Sequence, residues 1–122
     1  MKNIVLIEDD KTIAKLVTLK LEKEGYKVTW KENGLDGLNE VKKKLPDLAL
    51  IDIMLPKLDG FQILEDLKNN PKTKAIATIL MTALSQDEKI EKAYDLGVDD
   101  FIIKPFLPSD LINRVKKILS NN

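Results

Sequence analysis

Leu48-Ala49-Leu50-Ile51-Asp52 decides the fold: four apolar residues in unbroken succession, closed by a carboxylate. An apolar run this short and continuous describes a strand covered on both faces, as in the middle of a parallel sheet. Three further runs match it: Ile4-Val5-Leu6-Ile7, Ile76 to Met81, and Phe101-Ile102-Ile103. A fifth segment, Tyr26-Lys27-Val28-Thr29-Trp30, alternates in character and belongs at an edge, half exposed on one side.

Between these runs the apolar period lengthens to that of a helix. Ile13, Leu16, Val17 and Leu21 mark the first helix, closed by Gly25. Leu35, Leu38, Val41 and Leu45 mark the second, entered through Asn33 and stopped by Pro46. Phe61, Leu64 and Leu67 give a third that ends before Asn69-Asn70-Pro71. Ser85-Gln86-Asp87-Glu88 has capping-box spacing and opens the fourth, which Gly97 closes. The fifth starts near Pro108 with Asp110 in its first turn, presents Leu111, Val115 and Ile118, and carries Lys116 and Lys117 toward its end. Strands and helices therefore alternate five times. Right-handed crossovers turn that alternation into a single α/β doubly wound five-stranded parallel sheet, and an edge position for the second strand gives the order 2-1-3-4-5. The switch point falls between strands 1 and 3, so a ligand crevice is expected at their carboxyl ends.

At 122 residues with 43% hydrophobic content, the chain supports one core, expected as one domain over residues 1–122. Twenty basic residues balance twenty acidic ones, so no net field draws the chain to nucleic acid, and direct contact with it is not expected. No apolar stretch is long enough to span a membrane, and the start lacks a signal-peptide cleavage site, so a cytoplasmic location is expected. There is no cysteine and no histidine. Chemistry must then run on carboxylates, hydroxyls and lysines.

Such groups follow each buried strand: Glu8-Asp9-Asp10 after the first, Asp52 after the third, Thr82 after the fourth, Lys104 after the fifth. Singly each has an ordinary explanation, as a helix cap, a turn residue, a strand end or a solvated lysine. Together they converge on one crevice. Carboxylates gathered within a few ångströms repel by about a few kcal/mol at an intermediate dielectric, so something positive must join them. Hard oxygen donors without histidine or cysteine suit Mg²⁺. Asp52 is then placed to attack an electrophilic phosphorus, with Thr82 and Lys104 supplying a hydroxyl and an ammonium to the phosphoryl oxygens. Asp10 also makes a good N-cap for the first helix, and that is the role assigned to it here.

Leu6-Ile7-Glu8-Asp9-Asp10, Asp47 to Pro56 with Asp59-Gly60, Met81-Thr82-Ala83 and Phe101-Ile102-Ile103-Lys104-Pro105-Phe106 resemble the signature stretches of two-component response-regulator receiver domains, and the likeness covers the whole chain. The resemblance implies a CheY-like fold that takes a phosphoryl group on Asp52 from a sensor histidine kinase or a phosphotransfer protein. It implies Asp9 and Asp52 as direct Mg²⁺ ligands, Glu8 acting mainly through water, and the backbone carbonyl of Met54 as a further ligand. Thr82 becomes the switch hydroxyl, Lys104 the phosphate-pairing lysine, and Phe101 the aromatic that turns between exposed and buried. Spacing alone makes Phe101 an ordinary core residue. A cis peptide bond is implied before Pro105. Met54 and Leu84 are implied to flank the water that hydrolyses the acyl phosphate.

Asp95-Leu96-Gly97-Val98-Asp99-Asp100-Phe101, with Asp110 and Arg114, resembles OmpR/PhoB-type receivers, in which such charges bridge a symmetric dimer through helix 4, strand 5 and helix 5; Ile90 stands where a basic residue is expected. The chain reads either as a stand-alone regulator or as the receiver half of a transcription factor, a regulatory domain rather than an enzyme. Three rivals remain. An aspartyl phosphohydrolase wants a second aspartate where Met54 stands, a flavin binder wants a Ser/Thr/Gly-rich loop where Glu8-Asp9-Asp10 stands, and a degenerate receiver would lack site residues that are present here.

Overall fold

The computed structural model describes residues 1–83 and 87–120. Its elements are β1 Asn3–Ile7, α1 Lys11–Lys23, β2 Lys27–Lys31, α2 Gly34–Lys44, β3 Leu48–Asp52, α3 Gly60–Lys68, β4 Ala77–Thr82, α4 Asp87–Asp95, β5 Asp100–Ile103 and α5 Pro108–Ser120. The strands form one sheet in the order β2-β1-β3-β4-β5, and every pairing is parallel. Both the alternation and the edge position of β2 are as the sequence predicts.

Successive strand residues point to opposite faces, and each face has its own core. Val5, Ile7, Ala49, Ile51 and Leu80 pack under α2, α3 and α4 with Leu38, Val41, Ile63, Leu64, Leu67 and Ala93. Ile4, Leu6, Leu48, Leu50, Ile79 and Met81 pack under α1 and α5 with Ala14, Val17, Leu21, Leu111, Val115 and Leu119. This double burial is why the strands read as unbroken apolar runs.

Ile76 lies one residue before β4, its N–H donating to the Thr73 carbonyl in a turn. Leu16 and Leu35, expected on buried helix faces, are 43% and 47% exposed. The buried stripe of α1 is instead Ala14, Val17 and Leu21. In α2 it includes Gly34 and Gly37, which let the helix approach its neighbours more closely than Leu35 could. A Cβ on Gly34 would lie 1.8 Å from the Leu58 carbonyl oxygen, so only glycine allows the β3–α3 loop to rest against the start of α2.

Asp10 caps α1, accepting from the Thr12 and Ile13 N–H groups, and Asn33 caps α2. Helix α3 starts in a full capping box between Asp59 and Gln62 that the sequence reading does not pick out. The box expected at Ser85–Glu88 lies outside the described residues because Ser85 does, and so does Leu84. Left-handed backbone closes three helices at the amino-terminal edge of the sheet: Gly25 after α1, Leu45 after α2 and Gly97 after α4.

Candidate functional site

Because all five strands run the same way, the residues at their carboxyl ends share one edge. Glu8 follows β1, Asp52 ends β3, Thr82 ends β4 and Lys104 follows β5, bracketing the switch point between β1 and β3. One carboxylate oxygen from each of Glu8, Asp9 and Asp52 lies within 4.8 Å of the others. Glu8 and Asp52 are buried, while Asp9 is exposed. Thr82 is fully buried one position beyond Met81, which pairs with Asp52 across the β3–β4 ladder.

Lys104 answers part of the negative charge. Its Nζ donates to Glu8 Oε1 at 2.6 Å and to Asp52 Oδ2 at 3.0 Å. Burial alone disfavours the ammonium, but the two carboxylate hydrogen bonds outweigh it and hold the Lys104 pKa above its usual value. Burial pushes the Glu8 carboxyl up to about 7, helped by a hydrogen bond with Asp52 and opposed by Lys104. Backbone donors fix the remaining oxygens: Met54 N–H donates to Asp52 Oδ1 at 3.1 Å, and Asp10 N–H to Glu8 Oε2 at 3.2 Å.

Three carboxylates against one ammonium leave a surplus of negative charge on hard oxygen donors, one of them open to water. That donor set fits Mg²⁺, which accepts one or two carboxylates and keeps several waters. It does not suit a phosphate dianion by itself, which the carboxylates would repel.

Other expected residues fall around this cluster. The Met54 side chain is 59% exposed at the mouth of the crevice. Phe101 is buried, with its ring in the α2–α4 core beside Leu80, Ala93 and Val98 rather than in the acidic cluster. The Lys104–Pro105 peptide bond is cis. Asp100 and Asp110 both bind Arg114 within the chain, at 2.8 and 3.2 Å.

One contact to the site is not foreseen from the sequence: the Trp30 indole Nε1 donates to the backbone carbonyl of Glu8 at 2.8 Å. The register that pairs Leu6 with Trp30 brings the indole there. Only a tryptophan near the end of the strand beside β1 hints at it.

Residues 4–116 match the family model described as the response regulator receiver domain. The chain is 36% identical, over 98% of its length, to the DNA-binding dual master transcriptional regulator RpaA of Synechocystis, covering 49% of that protein. It is 37% identical to the alkaline phosphatase synthesis transcriptional regulatory protein PhoP of Bacillus subtilis, over 97% of this chain and 48% of that one. It is 32% identical to the phosphate regulon regulator PhoB of Escherichia coli, over 97% and 52%. The chain thus spans about half the length of the curated relatives it matches. Among solved structures, a CheY-like receiver domain protein from Methanospirillum hungatei superposes with a TM-score of 0.93 at 30% identity, covering 99% of this chain and 95% of that one. A BeF3-activated DrrB receiver domain superposes at 0.87 with 36% identity, covering 98% of each chain. With the strand order, the acidic cluster and the paired lysine already in place, these likenesses show that the chain belongs to the response regulator receiver domain family of two-component systems.

Proposed function

We propose that this receiver domain takes a phosphoryl group on Asp52 from the phosphohistidine of a sensor kinase or phosphotransfer protein, and that the modification alters the face formed by α4, β5 and α5. The observation that carries the reading is the position of Asp52 itself, a buried carboxylate at a switch-point strand end with its oxygens 3.0 Å from Lys104 Nζ and 3.1 Å from the Met54 N–H. With no histidine of its own, the chain must receive the phosphoryl group from elsewhere.

In the transfer, an Asp52 oxygen forms the O–P bond as the N–P bond to the donor's imidazole breaks, and the electron pair leaves on that nitrogen, which takes a proton from water. Lys104 pairs with one phosphoryl oxygen and the Thr82 hydroxyl donates to another, so charge spread over the transferring group meets fixed donors. Asp9, Asp52 and the Met54 carbonyl, with Glu8 acting through water, would hold Mg²⁺, which would supply the further positive charge that phosphoryl oxygens require. A phosphoryl group that draws Thr82 toward it loosens the packing around Phe101, the β5 neighbour of Leu80, and so biases the α4 side of the sheet.

Beside the site a cavity of about 250 Å³ is lined by Ile13, Leu16, Val17, Ala83, Pro105 and Phe106 together with Lys104. This apolar ground next to the acceptor supports docking of a phosphodonor protein there. The balanced charge supports a domain that does not itself hold nucleic acid, and membership of a generally cytoplasmic family supports a cytoplasmic location. Among the described residues no helix is long and apolar enough to cross a membrane. A homodimer through α4, β5 and α5 would exchange the Arg114 pairs with Asp100 and Asp110 between protomers rather than form new ones.

Intact mass spectrometry after treatment with acetyl phosphate and Mg²⁺ tests the acceptor. One added phosphoryl group is expected in the natural chain and none in Asp52→Asn; equal labelling of both overturns the assignment.

A further inference from the structure

Strand β2 carries no member of the acidic cluster, yet it holds the backbone of Glu8 on both sides. The Glu8 N–H donates to the Lys31 carbonyl at 3.1 Å, the last rung of the β1–β2 ladder. The Glu8 carbonyl has passed the end of that ladder, and it accepts from a side chain instead, the Trp30 Nε1–H at 2.8 Å. That carbonyl belongs to the peptide group joining Glu8 to Asp9. The next peptide, joining Asp9 to Asp10, is fixed through its N–H by Glu8 Oε2 at 3.2 Å. Asp10 in turn is anchored as the cap of α1. Asp9, the exposed carboxylate of the cluster, is thus suspended between two immobilised peptides.

We infer that Trp30 is a positioning residue for the acidic site: by clamping the Glu8–Asp9 peptide through its indole N–H, it presets the direction in which Asp9 leaves the backbone and so raises affinity for Mg²⁺. The inference rests on the proposed reading of Glu8, Asp9 and Asp52 as the metal site. Its physical basis is preorganisation. A cation that must draw together carboxylates on separate strand ends loses less in ordering them when the backbone between two of them is already fixed. A packing role alone would need only the ring, which lies partly buried against the α1–α5 core with Val28 and Tyr26. The N–H is the part that reaches the site, and Trp30 is the only tryptophan in the chain, so its signals are unambiguous.

The test compares Mg²⁺ binding by calorimetry in three forms of the whole chain: the natural one, Trp30→Phe, and a chain carrying benzothienylalanine at position 30, in which sulfur replaces the N–H and the ring shape is kept. Both altered chains are expected to bind Mg²⁺ roughly five-fold more weakly, while a 5-fluorotryptophan chain, which keeps the donor, binds as the natural chain does. The indole N–H resonance of the natural chain should be protected from exchange and should shift along the same Mg²⁺ binding curve. Should Trp30→Phe fold poorly, the benzothienyl chain decides alone, because its packing is unchanged. Natural affinity in the benzothienyl chain, or an indole resonance that ignores Mg²⁺, overturns the inference and leaves the metal site standing. Undiminished Mg²⁺ binding in Asp9→Asn and Asp52→Asn overturns the metal site instead, and the inference with it.

Discussion

Asp9 differs from its two neighbours in the cluster, for it is exposed while Glu8 and Asp52 are buried and share Lys104. In the metal-free protein its charge therefore contributes mainly repulsion. Asp9→Asn is expected to stabilise the metal-free domain by about 1 kcal/mol, the scale of two like charges near 5 Å at an effective dielectric between protein and water, and, on the proposed metal site, to abolish most of the stabilisation expected of Mg²⁺ in the natural chain. Urea unfolding with and without Mg²⁺ measures both; a variant less stable than the parent without metal would show that Asp9 has a structural partner instead. Asp9 and the other strand-end residues are legible in the sequence because each directly follows an apolar run whose direction in the sheet is fixed by the βα alternation. The Trp30 contact is not legible, since it depends on the register of two strands and joins residues 22 apart in the chain. Phe101 shows the opposite case: spacing makes it core and it is core here, so the mobile role comes from resemblance alone.

Among the helices, α4 buries the fewest of its own residues. It buries only Ala93 among its residues, where α3 buries Phe61, Ile63, Leu64 and Leu67. Part of what holds it lies outside the apolar core: the Lys92 ammonium sits 4.6 Å and the Lys89 ammonium 5.8 Å from the centroid of the Phe61 ring, joining α4 to the first turn of α3. Each such contact is worth about 0.5–1 kcal/mol at a partly exposed site. Phe61→Leu keeps an apolar side chain and removes the aromatic face, so α4 amides are expected to exchange hydrogen several-fold faster while those of α5 hold their rates. Equal acceleration in both helices would mean that the ring serves the general core and not α4. Helix existence is readable from the apolar period for α1, α2, α3 and α5, and for α4 only from its cap spacing and Gly97, but facing is not always so. Leu16 and Leu35 are exposed because Ala14, Gly34 and Gly37, poor hydrophobes by composition, let helix backbones come close. The α3 capping box escapes a search for Ser or Thr because Asp59 and Gln62 build it.

At the scale of the whole domain, the sheet separates two cores that meet only through its strands, one under α1 and α5 and one under α2, α3 and α4. Phe101 belongs to the second, and the apolar cavity beside Lys104 draws on α1 at the first. On the proposed reading, phosphodonor docking would fall on the α1 layer and the repacking around Phe101 on the opposite one, with α5 sharing the docking side. The overall topology is the most legible feature of all, because doubly buried strands and one alternating strand leave a single sensible order. A second division runs across the first. The acidic cluster and Lys104 lie at the carboxyl edge, whereas Gly25, Leu45 and Gly97, the left-handed helix closures, lie at the amino edge. Leu45 occupies this conformation at a φ of 49° with its side chain half exposed, a backbone that leucine adopts at a cost of about 1 kcal/mol and asparagine more readily. Leu45→Asn is expected to raise the thermal midpoint by about 3 °C with Mg²⁺ affinity unchanged, and a loss of affinity would show that the two edges are coupled. Sequence drift at the amino edge is then free to tune how long the domain survives in its host without retuning the signal it carries, so lineages at different temperatures can diverge at one rim while keeping the same chemistry at the other.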